Sequence, residues 1–386
     1  MRKLFSVGLA VLVVLGLLGG VMLAGCGEKA TTTTASTPAT SGSPATSGSS
    51  TTAVAPSEST SSTATTASSG GAGSAKYYLR WAQFAAAHLA DSQPIIQMAE
   101  NVAARTNGEC KIEVFWSDSL VPMFEILDAV RQGSAEMGTM PIGAFGGQDP
   151  LFSCSELPLY YNTVEAMIEG QAALAPTYDS VFEKKFNQKV IMVRPIIPLN
   201  VGCAKRPIKT MADWKGLMVQ TISPTTSAMV EKLGGSTAPA SPIDVYELLQ
   251  RGTVDATIQS LGKFVEVKLW EVCKYLTNAM LCSASAAGTI NLDVWNKLPK
   301  NIQDVILDEA AKAQAEIERI SRETYYSYLD TLSKNMEVYN LPKDERAKWQ
   351  EAVKPIIDGQ LSKVGDLASE VVRTAQEANA KYPYPY

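Results

Sequence analysis

Histidine is nearly absent from this 386-residue chain: one, His88. That scarcity argues against a histidine-rich metal centre and a histidine-based catalytic triad. Cysteine is sparse too, with six residues (Cys26, Cys110, Cys154, Cys203, Cys273, Cys282) and no CxxC pair, so neither zinc nor thioredoxin-type chemistry is suggested. Spacing alone sets no disulfide, and buried free thiols are the simpler expectation for cysteines in apolar runs. No basic run stands out against a net charge of −5, which leaves nucleic-acid binding without electrostatic support. Gly146-Gly147-Gln148 is too short for a nucleotide loop, and no phosphate-binding glycine motif occurs. Paired catalytic carboxylates do not declare themselves either. An enzyme is therefore not expected, and no cofactor or metal is implied.

Residues 1–25 read as a signal peptide. Arg2 and Lys3 precede an uncharged apolar core from Leu4 to Met22. Leu23-Ala24-Gly25-Cys26 resembles the lipobox of bacterial lipoproteins, in which the cysteine thiol carries a diacylglycerol. The expectation is export, with anchoring through Cys26 to the outer side of a membrane. Residues 26–75 then form a linker. From Thr31 to Ser74 it is almost only Ser, Thr, Ala, Gly and Pro, with Glu58 the sole charge. Such a composition cannot bury enough apolar surface to offset ordering. Treated as a flexible coil, it spans about 33–40 Å.

From Lys76 the composition turns globular. A strand is expected over Tyr77–Phe84, a helix over Ile95–Arg105 opened by Pro94, and a strand over Lys111–Trp116. A helix over Met123–Gln132 and a strand over Glu136–Met140 complete a β-α-β-α-β order, which implies a parallel sheet with right-handed crossovers. Val164–Phe186 reads as helical and Lys189–Val193 as a strand. Lys300–Lys334 shows apolar residues at helical spacing, and Asp344–Ala380 reads as further helix broken at Pro355. The terminal Tyr382-Pro383-Tyr384-Pro385-Tyr386 is expected to fray.

The segment Asn200–Pro224 carries the most specific signal. KRPIKT at Lys205–Thr210, a polar spacer and KGL at Lys215–Leu217 resemble the central segment of the solute-binding proteins of TRAP transporters, the C4-dicarboxylate-receptor-like family. FWSDSL with VPMFEILDAVRQGSAEMG resembles that family's FPNGQL, helix and MG turn; Glu156–Tyr161 resembles its DLPYLF element. Ile243–Ala256 is similar to EVY-x-ALQ-x-G-x-VDG, and KLWEVCKYLT and LPKNIQDVI extend the match, which runs from about Tyr78 to about Arg319.

The resemblance implies an α/β, two-lobed, periplasmic-binding-protein-like fold with crossing hinge strands and long C-terminal helices. Residues 76–197 with 286–325 would form lobe I, and 198–285 with 326–386 lobe II. It further implies a receptor that captures a small organic ligand between the lobes and delivers it to the small and large TRAP membrane subunits. A ligand-sensing lipoprotein that serves a signalling receptor is the alternative partner reading.

Three positions depart from the family pattern. Gln220 stands where an arginine grips the ligand carboxylate, Leu199 where many members have a second arginine, and Ile258 where an acidic residue is usual. An unpaired buried carboxylate costs about 3–5 kcal/mol, so the expectation is a neutral or weakly polar ligand and not a simple C4-dicarboxylate. Gln220, Asn200, Gln259 and Gln83 would hydrogen-bond it, with Phe84, Trp81 and Tyr160 as apolar walls. The alternative is an organic-acid receptor that uses Arg80 or Arg194, and His88 would border the cleft.

Overall fold

Among the described residues eleven strands fall into two sheets, and the chain passes between them at only a few places. The computed structural model describes residues 75–386; the leader, Cys26 and the Ser/Thr-rich linker lie outside the described residues. The first sheet has the order β2-β1-β3-β10-β4, from Tyr77–Gln83 (β1), Cys110–Phe115 (β2), Met137–Pro141 (β3), Gln188–Pro195 (β4) and Ser285–Asn291 (β10). β1 runs parallel to β2 and β3, whereas β10 runs antiparallel to both β3 and β4. The second sheet has the order β11-β9-β5-β8-β6-β7, from Leu199–Cys203 (β5), Met218–Thr221 (β6), Ser236–Pro239 (β7), Ala256–Ser260 (β8), Tyr275–Cys282 (β9) and Glu337–Asn340 (β11). The chain thus changes sheets between Pro195 and Leu199 and again between Cys282 and Ser285. A third passage is made by Leu157, Leu159 and Tyr161, which belong to three different apolar cores. The result is a two-lobed α/β fold with crossing strands.

Helices α1 (Gln93–Arg105), α2 (Ile126–Gln132) and α3 (Pro150–Ser153) pack on the first sheet, α1 in one of its cores and α2 and α3 in the other. The stretch read as one helix over Val164–Phe186 is two, α4 (Val164–Ala173) and α5 (Ala175–Phe186), because Pro176 opens a new first turn. Short helices α6 (Pro224–Leu233), α7 (Val245–Gln250), α8 (Leu261–Glu266) and α9 (Leu292–Lys297) follow, then α10 (Lys300–Ser333), α11 (Lys343–Val364) and α12 (Ala368–Lys381).

Two sequence expectations fail at the C-terminus. α11 runs unbroken through Pro355 and ends at Gly365, whose φ is +67°. Pro355 and Glu351 are both exposed, so water can satisfy the carbonyl that the missing amide would have bonded. The terminal residues do not fray: the Tyr384 hydroxyl donates to the Leu341 carbonyl at 2.7 Å and the Lys343 amide to the Tyr386 carbonyl at 2.9 Å.

The last helices tie the lobes together. In α11, Trp349 and Val353 lie in the core beside the second sheet, while Ile357, Leu361 and Val364 pack on the core beside the first. α12 repeats the pattern with Val371 in one core and Ala375 and Ala378 in another. Residues 326–386 therefore pack on both lobes. Cys110, Cys154, Cys203, Cys273 and Cys282 are buried and unpaired. Burial pushes the Cys110 thiol up to about 11 and, with Asp149 nearby, that of Cys154 up to about 12, which keeps both un-ionised at neutral pH.

Gly202 on β5 shows how tightly the second lobe is packed. A Cβ there would stand 2.4 Å from Phe264 and 2.8 Å from the Cys273 sulfur. Gly202→Ala should cost about 1–3 kcal/mol by overpacking. Gly359→Ala, in the interior of α11 with nothing within 4 Å, should instead gain roughly 0.5–1 kcal/mol. Urea midpoints at constant slope measure both, and equal midpoints would contradict this packing.

A cavity at the sheet crossings

The KRPIKT…KGL segment is an internally bonded frame. The Arg206 guanidinium donates to the carbonyls of Asp213 and Lys215 at 2.9 and 2.7 Å, and Lys205 pairs with Asp255 at 2.5 Å. Asp213 closes a capping box with Thr210, and Asp255 accepts the Met218 amide at 2.9 Å. These bonds fix the start of β6 against β8, and so fix where Gln220 points.

Gln220 is fully buried and its amide is saturated. It donates to the Ala240 carbonyl at 2.7 Å and the Thr221 carbonyl at 3.4 Å, and accepts from Thr257 Oγ1 at 2.6 Å and Gln259 Nε2 at 3.0 Å. A carboxamide has two donors and two acceptor lone pairs, so none is left over in this arrangement. Ile258, one residue along β8 from both Thr257 and Gln259, faces the other way into the second lobe's core. Leu199 packs on the edge of that same core.

Asn200 stands opposite Gln259 across β5 and β8, on the same sheet face, but its side chain is spent on β9. Its Oδ1 accepts the amides of Ala279 and Met280 at 2.9 and 3.0 Å, while Nδ2 is buried without a partner. Trp81 and Gln83 alternate onto one face of β1 and converge on Thr139, whose hydroxyl accepts from them at 2.9 and 2.8 Å. Both are fully buried; Trp81 belongs to the first lobe's core and the Gln83 carbonyl is unpartnered. Tyr160 is half-buried between two cores, and its backbone carbonyl takes a hydrogen bond from Asn379 of α12.

The two arginines separate cleanly. Arg80 is held by Glu136 through its backbone amide, Nε and Nη2 at 2.8–2.9 Å, and does not reach the cavity described next. Burial alone would raise the Glu136 carboxyl, but the Arg80 bonds outweigh it and hold it below its ordinary value. Arg194, at the end of β4, is 3% exposed and lines a cavity of about 530 Å³. Its Nη1 donates to Asp91 at 2.7 Å, its Cζ stands 5.3 Å from the Phe84 ring centroid, and its Nε has no partner. Burial lowers its pKa, opposed by Asp91.

This cavity draws on both lobes. Phe84, His88, Leu89 and Asp91 come from the end of β1 and the loop after it; Ile196 and Ile197 come from the crossing; Ser260 and Lys263 come from the second lobe. Of the sequence-predicted residues, Phe84, Arg194 and His88 are brought together here. α10 adds Ile320, Thr324 and Tyr328. Their spacing of four puts them on one helix face, a signal present in the sequence that the apolar periodicity of this helix did not single out. Among the described residues no group of three or more His, Cys, Asp or Glu side chains could hold a metal ion.

The profile of the DctP family, bacterial extracellular solute-binding protein family 7, matches residues 84–363. The chain is 24% identical over 281 residues to the C4-dicarboxylate-binding periplasmic protein DctP of Rhodobacter capsulatus (70% of this chain, 82% of that one). It is 26% identical over 227 residues to the 2,3-diketo-L-gulonate-binding periplasmic protein YiaO of Escherichia coli (58% and 69%). Among solved structures, a TRAP periplasmic solute-binding protein from Ochrobactrum anthropi superposes with a TM-score of 0.74 at 22% identity (80% and 97%). DctP7 of Bordetella pertussis, a receptor that binds pyroglutamic acid, gives 0.69 at 22% (78% and 99%). The chain belongs to bacterial extracellular solute-binding protein family 7, a family of receptors and not of enzymes.

Proposed function

We propose that this extracytoplasmic receptor captures a small organic acid in the cavity at the sheet crossings and hands it to the small and large membrane subunits of a TRAP-type secondary transporter. One observation carries the reading: Arg194 is almost completely buried on the wall of a cavity lined from both lobes, with donor capacity unspent. A ligand that touches both lobes stabilises the closed arrangement over the open one, and closure is what a membrane partner can recognise. Anchoring by a lipid on Cys26, with the Ser/Thr-rich segment as a tether, belongs to the same proposal and rests on the sequence.

Gln220 and Arg194 together narrow the ligand. With the Gln220 amide saturated inside the protein, the family's usual carboxylate position offers nothing to an anion. Arg194 offers one guanidinium, beside Phe84 and the apolar Leu89, Ile196 and Ile197. The cavity's other cation, Lys263, is paired with Glu266 at 2.9 Å. A compound with one carboxylate and a largely apolar body fits this wall; a short two-ended dicarboxylate does not. YiaO and DctP7 are named for ligands that carry a single carboxylate, which agrees with the carboxylate count alone, whereas DctP of Rhodobacter capsulatus is named for C4-dicarboxylates.

Three measurements bear on it. In thermal-shift screening of the full chain, aromatic or branched monocarboxylates should raise the midpoint, by linkage, more than neutral aromatics or succinate-like diacids; stabilisation by diacids alone would overturn the ligand assignment. Arg194→Gln should weaken binding of a stabilising monocarboxylate roughly 100- to 1,000-fold in calorimetry, the loss expected when a buried charge pair loses one member. Gln220→Ala should lower stability by about 1–3 kcal/mol because Thr257 and Gln259 lose their acceptor, yet leave that affinity within about threefold. If Gln220→Ala abolished binding and Arg194→Gln did not, the carboxylate site would lie on β6 after all.

A further inference from the structure

One buried cation has no place in the ligand site. Arg346, on the first turn of α11, is 1% exposed, and no carboxylate among the described residues pairs with it. Its guanidinium donates to the backbone carbonyls of Ala279, Leu159 and Tyr161, at 2.7 Å for the last. Leu159 and Tyr161 belong to the third passage between the lobes, and Ala279 to β9 as it approaches the Cys282–Ser285 passage.

Both passages are conformationally unusual. From Leu199↔Cys282 to Val201↔Thr277, β5 advances by two residues and β9 by five, so β9 carries a wide bulge over Asn278–Leu281. Met280 within it has φ +51°, and Leu159, bridged to it through its amide to the Leu281 carbonyl at 2.7 Å, has φ +54°. Non-glycine residues in the left-handed region persist only where their surroundings over-determine them, and they cluster where a chain has to switch. Here Asn200 holds the bulge's amides and Arg346 its carbonyl and the neighbouring passage.

The outer face of Arg346 is covered by the C-terminal segment. The Tyr384 ring lies 4.5 Å from its Cζ, its hydroxyl is bonded to Leu341, and prolines on both sides restrict the backbone. We propose that Tyr384 is a lock on the hinge: seated on Arg346, it holds the β9 bulge and the Leu159 passage in one arrangement, and its departure lets both open. This rests on the reading of the protein as a receptor that closes around its ligand, and it assigns control of that motion to a residue that does not line the cavity.

Hydrogen exchange of the ligand-free full chain, followed by mass spectrometry, tests it. In Tyr384→Ala, peptides that cover Asn278–Cys282 and Pro158–Tyr161 should exchange roughly tenfold faster, the size expected for a lost desolvated cation–π contact and its cover. Peptides over Tyr77–Gln83 should not change. Tyr384→Phe, which keeps the ring on the guanidinium, should stay within about twofold of the parent chain. Unchanged hinge peptides in Tyr384→Ala would overturn the proposal. So would acceleration throughout the chain, which would make Tyr384 a contributor to global stability only. Because no ligand is present, failure to find a stabilising acid would count against the receptor reading and leave this result standing.

Discussion

A buried charge usually needs an opposite charge, and the junction of this fold is built around one that has none. Removing a guanidinium from water costs several kcal/mol even after relaxation. Arg346 recovers that cost from backbone carbonyls and an aromatic face, which only a junction of several chain passages can supply at one point. The dependence runs both ways. Without Arg346 the Tyr161 carbonyl would lose its charged donor, at a cost typical of a buried acceptor left unpaired, whereas the Leu159 carbonyl would keep the Gln350 amide at 3.0 Å. The two left-handed residues beside it are tolerated because these bonds allow the chain no better alternative.

The same logic of mutual satisfaction explains the second lobe's polar interior. Gln220, Thr257 and Gln259 come from adjacent strands and face one another across the β6–β8 pair, so each can meet the others' hydrogen-bonding needs. An arginine at position 220 would need a counter-ion that Thr257 and Gln259 cannot provide. Neutral amide and neutral neighbours are one self-consistent choice, and the charge that a receptor for acids requires has to come from another strand. In the proposed site Arg194 would meet that need from β4, with Asp91 as a companion that lowers the cost of burying it.

What could be read from the chain alone follows from which forces are local. Strand periods and the proline at the start of α1 are set by nearest neighbours, and they were legible. Pro355 misled because a local rule predicts a broken helix, whereas the freed carbonyl lies on an exposed face where water can satisfy it. The tail misled for the opposite reason: nothing near Tyr384 in sequence announces a buried arginine 38 positions earlier. Within the candidate site, alternation could have separated Trp81 and Gln83 from Arg80, Ala82 and Phe84. It could not say which face met the other lobe. Sequence also left Arg80 and Arg194 undivided: the partner that occupies Arg80 is Glu136, just before β3 on the neighbouring strand and 56 residues away in the chain.

If the cavity takes an acid as proposed, the Arg194–Asp91 pair also constrains how that ligand enters. An incoming carboxylate shares the guanidinium with Asp91 and lies close to a like charge, so the favourable term is smaller than for an unpaired arginine. Two features offset that loss. Arg194 has a donor, Nε, that Asp91 does not use, and the Phe84 ring over Cζ holds the guanidinium plane in place before any ligand arrives. Preorganisation of this kind reduces the entropy lost on binding. A receptor so arranged gains selectivity from the apolar walls around the charge more than from the charge itself, which is the reverse of a site built on an isolated arginine.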